Sequence, residues 1–329
     1  MISFKPAKFL GNGHLQTIYP SLFFRPKRPL VTEEILELPD GDFVECVWHH
    51  QPKVGEKKPI MILFHGLEGS FRSPYIQRAM HVMSKAGFGV ILMHFRGCGS
   101  RPNRLARAYH SGDTADAKYL IEQLKARYHD SPLFATGYSL GGNMLLKLLG
   151  EMGDNALLDG AMAVSAPMAL ESSANRINSG FSKLYQYNMM RSLRHSLREK
   201  YRYHDIEKEI GLKKDDIKHL RTFWEFDDAY TAPMHGFRDA KEYYEKSSSK
   251  PYLKAIMIPT LIIHAQDDPF MGKEVIPSDD ELSKEITFEL YASGGHVGFV
   301  AGSVLRPHYW IEERMLDFFY VEKNICYKK

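Results

Sequence analysis

Cysteine is scarce in this chain: Cys46, Cys98 and Cys326 are the only three among 329 residues. An odd number at such wide spacing argues against a disulfide framework or a zinc finger, so a reducing, cytoplasmic setting is expected. Long apolar runs are lacking too. No stretch approaches the roughly 18 residues that span a bilayer. Lys5, Lys8, Asn12, His14 and Gln16 break up the stretch from Met1 to Phe24, so no signal peptide is read there. Charge of one sign is absent in bulk: 43 Lys and Arg against 40 Asp and Glu leave a net +3, which gives no reason for a nucleic-acid partner. Histidine is plentiful, with fifteen, yet there is no H-E-x-x-H, no H-x-H and no Cys-His pairing at finger spacing. Neither a metal nor another cofactor is expected.

What is present is an ordinary soluble composition, 44% hydrophobic and 25% charged. The length calls for a large domain with an insertion, or two domains. Short apolar runs at 43–48, 60–64, 89–94, 133–136, 160–165, 260–264 and 286–291 read as strands, most of them buried on both faces. Helical patterns lie between them, notably 113–127 and 143–149. This is the α/β signature, a mostly parallel central sheet with helices on both faces.

From about Met168 to Lys250 no buried strand is legible, and Tyr, Arg and Lys accumulate. The expected division is therefore 1–167 and 251–329 as two parts of one core, with 168–250 a helical cap insertion. Within it Tyr187, Met190, Leu193, Leu197 and Tyr201 fall at helical spacing, as do Arg191, Arg194, Arg198 and Arg202 on a neighbouring face. Such an arginine stripe reads first as a solvated face, and second as a contact surface for anionic head groups or an acidic substrate.

One pentapeptide carries most of the chemistry. Gly137-Tyr138-Ser139-Leu140-Gly141 sits between a β-rich run and a helical segment. A G-x-S-x-G in that setting is a nucleophile elbow, a tight strand-to-helix turn with the serine at its apex. A serine nucleophile needs a base, and the base needs an orienting acid. Both follow in the order such a fold supplies them. The run 260–264 leads into Asp267-Asp268-Pro269, and the run 286–291 leads into Gly294-Gly295-His296. The acid is Asp267 or Asp268; the residue directly before the proline fits a strand end better, leaving Asp267 exposed or capping.

The oxyanion donors expected are the backbone N–H groups of Leu140, after the nucleophile, and Leu67, in His65-Gly66-Leu67-Glu68-Gly69. His65 is read as shaping that loop. Cys98 has neither elbow nor base and is read as structural.

These segments, with Phe95-Arg96-Gly97-Cys98-Gly99 and the N-terminal Gly13-His14-Leu15-Gln16-Thr17, resemble the YheT-like branch of the α/β-hydrolases over nearly the whole chain. The resemblance implies an α/β-hydrolase fold with a helical cap, a Ser139-Asp268-His296 triad and carboxylic-ester hydrolysis. It includes lipid-active esterases and phospholipases among its wider relatives. The expected partner is a small-molecule ester, lipid-derived in one version, held by a cap rich in Phe181, Tyr185, Tyr187, Met189, Met190, Phe223, Trp224 and Phe226. The alternatives are cleavage of a thioester, amide or activated C–C bond, or ligand binding without turnover on the same scaffold. Ile18, Tyr19, Leu22, Phe23 and Phe24 are expected to pack on the core, with docking of a partner or peripheral membrane contact as the other readings.

Overall fold

The computed structural model describes residues 3–23 and 26–321; Phe24 and Cys326 lie outside the described residues. Eight strands form the main sheet: β1 (Thr32–Glu37), β2 (Phe43–His49), β3 (Ile60–Phe64), β4 (Gly89–Met93), β5 (Leu133–Tyr138), β6 (Gly160–Val164), β7 (Thr260–Ala265) and β8 (Ile286–Tyr291). Their spatial order is β1-β2-β4-β3-β5-β6-β7-β8. The pairs β1/β2 and β2/β4 are antiparallel, and all others are parallel. A small hairpin of β9 (Val300–Gly302) and β10 (Pro307–Tyr309) stands apart.

Continuous apolar runs work here because both faces of the sheet are covered. In β3, Ile60, Ile62 and Phe64 join a core under α3 (Ala115–Arg127) and α4 (Leu140–Met152). Met61 and Leu63 point the other way, towards α2 (Pro74–Lys85) and the C-terminal α11 (Trp310–Val321). The chain leaves β3 to one side for β4 and returns on its other side as β5. Strand order therefore reverses between β3 and β5, and ligands of open α/β sheets bind at the carboxyl end of such a switch.

Before the sheet, α1 (Gly13–Leu22) starts at Asn12, whose side chain caps it. Between β6 and β7 the chain makes a helical excursion: α5 (Leu170–Ile177), α6 (Lys183–Lys200), α7 (Ile206–Ile210), α8 (Phe223–Phe226), α9 (Ala232–Met234) and α10 (Ala240–Ser247). A π-helical stretch, Asp227–Thr231, joins α8 to α9.

Beyond β4, Arg96 anchors the Gly-rich loop to the core. Its guanidinium is buried, donating in parallel to both oxygens of Asp116 on α3 (2.6 and 2.7 Å) and also to Asp40 (2.7 Å) and Asp42 (3.2 Å). Removing one member of such a network strands the others in low dielectric. Arg96→Leu is expected to lower stability by about 3–5 kcal/mol, read from the urea midpoint at constant slope.

Candidate active site

Ser139 follows β5 directly and caps α4, with φ 51° and ψ −119°. A non-glycine residue in that region is strained, and strain of this kind persists only where the surroundings enforce it. They do so closely. The Ser139 N–H donates to Val164 C=O at 2.8 Å, and its own carbonyl accepts from the N–H groups of Gly142 and Asn143. A Cβ on Gly137 would lie 2.4 Å from Gly141 O, and one on Gly141 would lie 2.5 Å from His65 O. Only glycine allows β5, α4 and the β3 loop to meet. The N-terminal end of α4 then lies behind the serine, where it favours negative charge.

The loop after β3 lies against the elbow, since a Cβ on Gly66 would be 3.3 Å from Ser139 Cβ. Among the described residues, the N–H groups of Leu67 and Leu140 donate to no protein acceptor. His65 is fully buried; its Nδ1 donates to Gly66 C=O (2.7 Å) and its Nε2 accepts from Phe95 N–H (3.1 Å). Burial pushes its pKa down to about 3, so it is a neutral strut with both ring nitrogens occupied. Cys98 is no better placed for chemistry, because burial drives its thiol pKa up, away from thiolate.

His296 Nδ1 meets Asp268 Oδ2 at 2.9 Å, and the other oxygen of this buried carboxylate accepts from Phe270 N–H at 2.8 Å. The Phe270 ring lies 4.2 Å from the imidazole, centre to centre. The histidine loop is held by its amides. Gly295 N–H donates to Asp267 Oδ1 (2.9 Å), His296 N–H to Thr17 Oγ1 (2.9 Å) and Val297 N–H to Ser165 Oγ (3.1 Å). Gln16, also buried, accepts from Val300 N–H and donates to the carbonyls of Val300 and Leu10. Asp267 is thus neither exposed nor a helix cap; it braces the neighbouring loop. Gln16 and Thr17, within the Gly13–Thr17 motif, support the histidine loop through long-range contacts that no sequence pattern encodes.

A cavity of about 470 Å³ opens at Ser139. Its apolar wall includes Leu67, Leu140, Leu170, Ile177, Leu193 and Phe226, while Glu68, Arg96 and Lys200 stand on its polar side. Burial lowers Lys200 to about 8. Of the aromatic and Met residues expected at a pocket, Met189, Phe223 and Phe226 line it. Phe181 and Tyr187 are instead exposed, and Met190 is buried in the packing of the helical excursion. Trp224 donates to Asn175, and Tyr185 packs on Phe270 at 4.9 Å. In the arginine series, Arg191, Arg198 and Arg202 are exposed, while Arg194 is half-buried on the carbonyls of Met190 and Lys218.

Among the described residues, ligand atoms of His110, Asp113 and His235 lie within 4.8 Å of one another, a grouping sequence spacing did not reveal. Arg107 donates to Asp113 at 2.6 Å, placing a fixed positive charge on one of the three. Free Cys46 and Cys98 are apart from this cluster.

Fold and site together define a class. The chain belongs to the α/β-hydrolase fold family, whose model matches residues 59–303. Within it, YheT of Escherichia coli strain K12, whose name gives esterase as an assumed activity, is 42% identical over 325 residues, covering 98% of this chain and 95% of YheT. This bears out the YheT-like resemblance. A monoacylglycerol lipase of Saccharomyces cerevisiae is 32% identical over 252 residues, 74% of this chain and 55% of the lipase. Phospholipase ABHD3 of Mus musculus is 25% identical, covering 87% of this chain and 74% of its own length. Among solved structures, the Pyrococcus furiosus esterase Pf2001 shares the fold at 15% identity, with TM-score 0.55 and coverage of 88% and 92%.

Thr17→Val keeps the shape of the side chain but leaves the His296 N–H without its acceptor. The expected cost is about 1–3 kcal/mol, with faster amide exchange confined to the 294–299 loop. Asp227 lines the cavity and is largely buried, accepting from Thr231 Oγ1 and Tyr244 OH at 2.7 Å each. Burial raises its pKa from 3.8 to about 6. The fold therefore holds this proton more tightly than the unfolded chain does, and stability should fall as pH rises from about 4 through 6. Asp227→Asn should remove that slope and gain up to about 3 kcal/mol at pH 8, with little difference near pH 4, as measured by urea unfolding across pH.

Proposed function

We propose that the chain is a serine hydrolase that cleaves carboxylic esters with an acyl or lipid-like chain. The observation that carries this reading is the buried Asp268–His296 pair at 2.9 Å; a strained elbow serine that opens on an apolar cavity supports it. Asp268 fixes the Nδ1–H tautomer, which leaves Nε2 to take the proton from Ser139 Oγ as that oxygen attacks the ester carbonyl. The N–H groups of Leu67 and Leu140 receive the oxyanion. His296 then returns the proton to the departing alcohol, and later activates the water that releases the acid from Ser139.

Residues 168–250 act in this reading as a cap over the core formed by 1–167 and 251–329, with Met189, Leu193, Phe223 and Phe226 closing over the acyl chain. The apolar wall favours an ester over a polar amide or peptide, and the esterase and lipase names of relatives support the same bond class. No helix among the described residues is long and apolar enough to cross a membrane; the free thiols of Cys46 and Cys98 are the feature that supports a cytoplasmic site of action.

A fluorophosphonate probe should label the wild type and not Ser139→Ala, which should lose at least about 10³-fold in ester turnover while remaining folded. Asp268→Asn should lose about 10⁴-fold through the wrong imidazole tautomer. Labelling without turnover of any ester in a graded acyl series would redirect the reading to thioesters or amides. A folded wild type that neither labels nor turns over would leave a ligand-binding scaffold.

A further inference from the structure

Carboxylates are distributed unevenly along the chain. Residues 1–32 carry Lys5, Lys8, Arg25, Lys27 and Arg28 and no Asp or Glu. Residues 172–198 carry Arg176, Lys183, Arg191, Arg194 and Arg198 and again no acid. At the chain's average density about seven acids would fall in these 59 residues. Since the net charge is +3, these ten cations leave the other 270 residues at −7.

The fold brings the two acid-free segments together. His14 on α1 packs edge-on against Phe181 at 4.7 Å and stacks on Tyr185 of α6 at 5.7 Å, with a 3.2 Å hydrogen bond to the tyrosine hydroxyl. Both helices turn apolar side chains outwards. On α6 the buried stripe is Gln186, Met190, Leu193 and Leu197. The other side exposes Leu184 and Tyr187, each more than half accessible, between Lys183, Arg191 and Arg198. On α1, Leu15, Ile18 and Leu22 share one helical stripe, with Leu15 and Leu22 exposed. A surface helix of a globular protein ordinarily keeps its outer face polar. α1 itself carries neither Lys, Arg, Asp nor Glu, so the helical cations of this surface come from α6; exposed apolar side chains beside cations and no carboxylate are the composition of a helix that lies in the interface of an anionic bilayer.

We propose that the face formed by α1 and the first three turns of α6 docks on anionic lipid bilayers. The occupant follows from charge and chemistry: a basic surface with interspersed Leu and aromatic side chains matches phosphate head groups above acyl chains. The same two helices flank the candidate site. Thr17 of α1 holds the His296 amide, and Tyr185 of α6 packs on Phe270 beside the imidazole. The inner side of α6 lines the cavity with Met189, Leu193 and Leu197. Docking would set the cavity next to a reservoir of lipid esters; this link to substrate rests on the esterase reading, whereas docking itself does not.

The test is sedimentation of the full chain with vesicles of phosphatidylcholine alone and with about 30 mol% phosphatidylglycerol, alongside hydrolysis of a short water-soluble ester. Binding is expected to the anionic vesicles only and to weaken with added salt. Lys183→Glu/Arg191→Glu and, separately, Leu184→Asp should each weaken it at least about tenfold, with soluble-ester turnover unchanged. Absence of vesicle binding, equal binding to neutral and anionic vesicles, or undiminished binding by both variants would overturn the proposal. Loss of soluble-ester turnover in the wild type would instead count against the esterase reading and leave the binding result standing.

Discussion

Three consecutive amides fix the candidate site. The N–H groups of Gly295, His296 and Val297 each donate to a side chain from a different part of the fold: Asp267 after β7, Thr17 on α1 and Ser165 after β6. The loop needs them, because Gly295, Val297 and Phe299 all hold positive φ, a conformation a free loop would abandon. The imidazole therefore does not depend on Asp268 alone for its direction. Its backbone is set first, and the carboxylate then selects the ring orientation and tautomer. Thr17 and Gln16 thereby tie α1 to the loop that carries His296.

The sheet supplies the rigid frame against which these contacts act. Ser139, the Leu67 loop, Asp268 and His296 all follow the carboxyl ends of parallel strands, and β3 and β5 flank the point where strand order reverses. Because β3, β4, β5, β6 and β7 are buried along their whole length, their ends cannot shift independently. Short loops then suffice to hold groups that come from positions as far apart as 67 and 296. Two buried histidines that follow strands serve the same purpose. His65 and His94 each donate from Nδ1 to a carbonyl and accept at Nε2 from a backbone N–H, which ties the ends of β3 and β4 to neighbouring backbone without a charge.

Much of this was legible in the sequence because it rests on local patterns. β3 and β8 lie at the expected residues, and β5 differs only in running on through Gly137 and Tyr138 to the elbow itself. Asp268 and His296 were legible as candidates because each follows its own strand, and the structure pairs them at 2.9 Å. The helix after Ser139 begins at Leu140 rather than Asn143, since the glycines that lower helix propensity are required there by close packing. β1 was missed; it is an edge strand whose exposed Glu33 and Glu37 blur the apolar signal. Thr17, Gln16 and Ser165 were unassigned for a different reason. Their roles consist of contacts across more than 130 residues of chain, and no periodicity encodes such a contact. The His110, Asp113 and His235 grouping was hidden in the same way, one of its members coming from the helical excursion.

Helix α6 shows how one element can serve two surfaces with opposing demands. Its inner stripe must be apolar to pack on α7 and α8 and to wall the cavity, which accounts for Met190, Leu193 and Leu197. That requirement places no constraint on the outer face, where solubility alone would favour charges of both signs and i,i+4 pairs. Instead, Glu199 is the first acid after Glu171, and between them the outer face keeps Leu184 and Tyr187 in water. Neither stability nor solubility of the isolated chain accounts for that choice: an exposed leucine gains nothing by burial and a one-signed stripe repels itself. Docking on an anionic bilayer, as proposed, would cover that face, and α6 would then wall the cavity on one side and meet the bilayer on the other.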